Sequence, residues 1–123
     1  MLWLNHERSR LIFFRVCLAA ALTAITYLAI TSRQFPAGAN ISDKLNHLLA
    51  FLVLAGLMDR SFPETGFSLF KALPLMGYGI LIECIQYFIP FREFSLLDMA
   101  TDGAGLIIYG AAHAVVNRLR MTN

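Results

Sequence analysis

Apolar residues fall into four long runs separated by short polar segments. The first, "LIFFRVCLAAALTAITYLAIT" at residues 11–31, predicts a helix about 31 Å long at 1.5 Å per residue, enough for a bilayer hydrocarbon core of about 30 Å. Arg15 lies near one end of this run, where a long cationic side chain can snorkel to the surface. "SRQFPAGANISDK" then reads as a loop, with Asn40 or Ser42 placed to cap the next helix. The second helix is expected at about 43–60. Its apolar part, Leu45 to Met58, is only 14 residues, a length shared with re-entrant and interfacial helices, and it is read as a short span. The third is expected at about 67–90, with Lys71 at its entrance, Pro74 in its first turns and Pro90 at its end. The fourth, at about 96–117, follows after only "FREFS", so helices three and four form an antiparallel hairpin. The pattern predicts an all-α fold, an integral membrane bundle of four transmembrane helices, in one domain spanning residues 1–123.

Composition supports the choice of solvent. Hydrophobic residues make up 58% of the chain and charged residues 15%, against about 45 to 50% and 25% in an ordinary soluble domain. Lys and Arg number 10 against 8 Asp and Glu, scattered along the chain, which argues against a nucleic-acid partner. Cys17 and Cys84 sit inside apolar runs and read as small packing residues. A basic start at Arg8 and Arg10, an apolar stretch and a later "AGA" resemble a cleavable signal peptide, but the apolar stretch outlasts a signal core, so the segment is expected to be retained. With four spans, Arg8, Arg10, Arg15, Arg60, Lys71, Arg118 and Arg120 collect on one side and Arg33, Lys44 and Arg92 on the other. The more basic side, holding both termini, is then cytoplasmic. Asp59, Arg60 and His113 are expected at that interface.

Against this background the polar residues inside the runs stand out, because an ionisable group within a span normally faces a partner or a wet cavity. Glu83 lies roughly 10 Å below the end of helix three, Asp102 roughly 8 Å into helix four and His47 roughly 7 Å into helix two, all at the non-cytoplasmic end. Asp43 with His47, Glu83 with Gln86, and Asp98 with Asp102 each share one helix face. His47 or Glu83 is therefore a candidate general acid or base. Lys44 and Arg92 are placed to meet an anionic headgroup, above Asp43, His47, Glu83, Gln86, Asp98 and Asp102 as pocket lining. The same carboxylates and imidazole are also able to ligate a divalent metal, but no spacing is a specific motif, so neither a metal centre nor a cofactor is assigned. Three roles stay open for the set: a hydrogen-bond network pinning the helices, a ligand site, and catalysis. Ala100, Ala104, Gly105, Gly110 and Ala114 fit small-residue helix packing and are compatible with a homo-oligomer.

The string "DKLNHLLAF" followed by "GILIECIQYFIPFREFSLLDMATDGAG" resembles the VanZ-like membrane proteins. Their pattern is Asp-Lys-x-x-His on one helix, then Glu-x-x-Gln, an Arg in the hairpin, and an Asp with Asn and Gly four and seven positions later. Asp43, Lys44, His47, Glu83, Gln86, Arg92, Asp98 and Gly105 match it, while Asp102 stands where the pattern has Asn. The resemblance implies a four-helix bacterial inner-membrane protein linked, through one member, to teicoplanin resistance. It brings a lipid or lipid-linked cell-envelope component into view as partner. An enzyme acting on a lipid-linked substrate, and a structural or assembly protein, remain the alternatives.

Overall fold

The computed structural model describes residues 2–31, 40–89 and 96–122, with side chains for the same residues except 40–43. Four helices follow one another: α1 (Leu2–Ile30), α2 (Asn40–Ser61), α3 (Leu69–Tyr87) and α4 (Leu96–Met121), with no strand among the described residues. The fold is all-α. Two helices outrun their apolar stretches for one physical reason, the absence of a breaker. Residues 2–10 contain neither Gly nor Pro, so α1 begins at Leu2 rather than near residue 11, helped by a Glu7–Arg10 pair one turn apart at 3.3 Å. α4 likewise continues past residue 117 to Met121. α3 is shorter than expected: Gly66 and Ser68 delay its start, and Phe88 closes it. Pro74 sits in its second turn. Pro90 and the connection containing Arg92 lie outside the described residues.

The helices run up, down, up, down. Lys44 meets Asp98 and Asp59 meets Tyr109, so α2 and α4 are parallel; Thr26 meets Tyr78 and Gln86 meets Ala29, so α1 and α3 are parallel the other way. α2 contacts all three other helices, most extensively α4. That closeness depends on Gly105, where a Cβ would stand 2.9 Å from the Leu48 carbonyl oxygen and 3.2 Å from the Phe51 Cβ. The core is Leu18, Phe51, Leu54, Ala55, Leu75 and Leu106.

Three helices, α1, α3 and α4, are long and apolar enough to cross a membrane. α2 is not, so the expectation of four spans is met for three of the helices. Its 22 residues reach about 33 Å, but Asn46, His47, Asp59, Arg60 and Ser61 at its ends dilute its hydropathy. Of these, Asp59 and Ser61 are buried against the other helices.

Candidate functional site

Two polar clusters occupy opposite ends of the apolar core. On α2 the step from His47 to Asp59, and on α3 the step from Lys71 to Glu83, are each twelve residues, about 18 Å along the helix axis.

The first cluster lies at the end away from the described termini. His47 projects from the second turn of α2, two turns below the helix start, and its Nδ1 is 2.8 Å from Asp102 Oδ1 on α4. With Asp102 ionised and His47 neutral, Nδ1–H donates and the lone pair falls on Nε2. Nε2 lies 3.7 Å from Asp98 Oδ2, one turn earlier on α4, while Asp98 Oδ1 accepts from Lys44 Nζ at 3.2 Å. Glu83 enters from α3. One ligating atom each from His47, Glu83 and Asp98 lie within 4.8 Å of one another. Lys44 is the most exposed of the set, its side chain 33% exposed against 14% for His47, 7% for Asp98 and 1% for Asp102, and Glu83 is fully buried. α3 leaves room for Asp102 through Gly79, where a Cβ would stand 2.7 Å from Asp102 Oδ2 and 3.0 Å from the Phe51 ring. Five expected site residues, Lys44, His47, Glu83, Asp98 and Asp102, are thus brought together from three helices. Gln86 is not among them. Buried one turn beyond Glu83, it donates from Nε2 to the Ala29 carbonyl at 3.2 Å, satisfying a backbone acceptor in the last turn of α1. The side chain of Asp43, and Arg92 altogether, lie outside the described residues.

The second cluster was not legible as a site. Asp59, expected at an interface, is buried, and so is Lys71. Lys71 Nζ donates to Asp59 Oδ1 at 2.8 Å and to the Thr65 carbonyl at 2.6 Å; Tyr109 donates to Asp59 Oδ2 at 2.8 Å, and His113 Nδ1 lies 3.3 Å from the same oxygen. Arg15 does more than snorkel: its Nε donates to the Ser61 carbonyl at 3.0 Å at the end of α2, and its guanidinium stacks over Phe62 at 5.0 Å. The available signal was the i,i+4 spacing of Tyr109 and His113 on one face of α4. A cleft of about 390 Å³ opens beside this cluster, rimmed by Arg60 and Arg120, both exposed, and by Arg10, which is paired with Glu7.

Compared with protein-family models, with curated proteins and with solved structures, the chain matches none.

Proposed function

We propose that this chain is a VanZ-like protein of the bacterial inner membrane, crossing the bilayer with all four helices, its termini cytoplasmic. Its His47–Glu83–Asp98 end recognises the anionic headgroup of a lipid or lipid-linked cell-envelope component. The family reading rests on the motif residues of α2, α3 and α4, four of which, Lys44, His47, Glu83 and Asp98, come together. A crossing by α2 is supported by where its side chains point: Leu45, Leu49 and Val53 face outward, while Asp59 and Ser61 face the bundle, so the average hydropathy understates how apolar its outer surface is. Cytoplasmic termini are supported by the excess of Lys and Arg at that end.

The observation that carries the headgroup reading is the fall in exposure from Lys44 to Glu83. A cation stands at the mouth and ionisable groups lie below it. With polar levels about 18 Å apart in a hydrocarbon core of about 30 Å, each level of a centred bundle sits about 6 Å below its interface, within reach of a headgroup.

The test is lipid retention by the Lys44→Gln, Arg92→Gln double variant after gentle detergent extraction. Retained anionic lipid should fall severalfold, with the melting temperature read beside it because Lys44→Gln removes an ion pair from the buried Asp98. Unchanged lipid retention rejects the headgroup reading. A second reading, an acid/base enzyme on a lipid-linked substrate, is favoured by the 2.8 Å His47–Asp102 contact, which orients the imidazole as a catalytic base requires.

A further inference from the structure

We propose that His47, Glu83 and Asp98 bind a divalent transition-metal ion, with Asp102 holding the His47 ring from behind. The inference names what the proposed ligand site itself holds and rests on reading that cluster as a ligand site. Each of three helices contributes one donor, and the donors stand within 4.8 Å of one another. At bond lengths near 2.1 Å, tetrahedral ligands stand about 3.4 Å apart, so the contact of 3.7 Å between His47 Nε2 and Asp98 Oδ2 is close to a shared-metal distance and too long for a hydrogen bond.

The arrangement around the imidazole is the one metal-binding histidines use. Asp102 Oδ1 lies 2.8 Å from Nδ1, the contact that in a neutral ring would fix the tautomer and turn the Nε2 lone pair toward Asp98. The carboxylate of Asp98 divides its labour, Oδ1 to Lys44 and Oδ2 toward the imidazole. Gly79 is the independent sign that the backbone accommodates this geometry. Any Cβ there would stand 2.7 Å from Asp102 Oδ2, displacing the residue that orients the histidine. One nitrogen and two carboxylate donors suit zinc or manganese, and three protein ligands leave a coordination position for an exogenous oxygen ligand. A phosphate or carboxylate oxygen of a headgroup has the chemistry to fill it. The metal thereby resolves a difficulty of the site, that a carboxylate-rich interior repels the anion it is proposed to bind.

The experiment uses the full chain, free of any histidine tag, purified in detergent, stripped with chelator and titrated with Zn²⁺ or Mn²⁺. About one ion per chain should bind, and Asp102→Asn, which touches no metal, should weaken binding about 10- to 100-fold. Glu83→Gln and Asp98→Asn should weaken it further while leaving the helical signal intact. Absence of saturable binding by the folded wild-type chain overturns the proposal, as does binding unaltered by Glu83→Gln, so the result does not depend on any variant that fails to fold. A parallel measurement of retained anionic lipid, with and without chelator, separates this inference from the headgroup reading. Metal binding with no lipid retained upholds the metal site and rejects the headgroup. Retained lipid with no metal does the reverse. Lipid lost on chelation supports both.

Discussion

The two polar clusters use the same kinds of residue in opposite proportion. Around Asp59, one carboxylate receives Lys71, Tyr109 and His113, and both of its oxygens are engaged. Around His47, three carboxylates from α3 and α4 converge on one imidazole and one lysine among the described residues. A carboxylate surrounded by donors is a joint. Lys71 also reaches the Asp59 and Thr65 carbonyls, so it ties the end of α2 to the connection beyond and to α3. A His–Glu–Asp set gathered from three helices suits a positively charged ligand. The difference teaches that burial by itself does not separate a structural polar network from a ligand site, because both clusters hold buried carboxylates.

Substitution at each cluster tests that distinction, and the largest effect belongs to the joint. Lys71→Ala removes the cation and leaves Asp59 buried, so it should cost about 3 to 5 kcal/mol, read as a fall in melting temperature in detergent. Adding Asp59→Asn to the same chain should recover part of that loss. If Lys71→Ala melts with the wild type, the joint is not structural and the contrast collapses. Tyr109→Phe should cost about 1.5 to 3 kcal/mol, the range for a hydrogen bond to a charged group, with the helical content unchanged.

At the other cluster the effect should be smaller. Glu83→Gln keeps the side-chain shape and its capacity to hydrogen-bond, so in metal-free protein it should cost less stability than Lys71→Ala while weakening metal binding. Chemical or thermal melting of the chelated variant beside the chelated wild type measures this directly. A destabilisation matching that of Lys71→Ala would make the two clusters alike and move the first into the structural class.

Much of the first cluster was legible because helical periodicity works on a sequence. Asp98 and Asp102 share a face at i,i+4, and counting residues inward from each helix end puts His47, Glu83 and Asp102 at one depth. Gln86 shows the limit of that logic. It shares a face with Glu83, yet its amide turns to the α1 carbonyl of Ala29, because whether two residues on one helix face meet the same neighbour depends on the neighbour's position. The second cluster was hidden for a related reason. Lys71 and Asp59 sit at helix ends, where charges normally meet water or headgroups, and only the packing of α1, α3 and α4 around the end of α2 buries them.

By itself the sequence determined that the chain is helical, where apolar runs begin and end, and which polar residues recur at the helical period, because those properties are set within a few turns of one segment. It also began α1 and ended α4 with their apolar runs, since hydropathy and helix formation are different properties. Tertiary structure alone decided which helices touch. It brought α2 against α4 through the space left at Gly105, admitted Asp102 beside Gly79, and set Asp98 between Lys44 and His47. The contacts of α2 with α4 join residues more than fifty positions apart, and the distance between them is fixed by the close packing of whole helices, a quantity no local stretch of sequence contains.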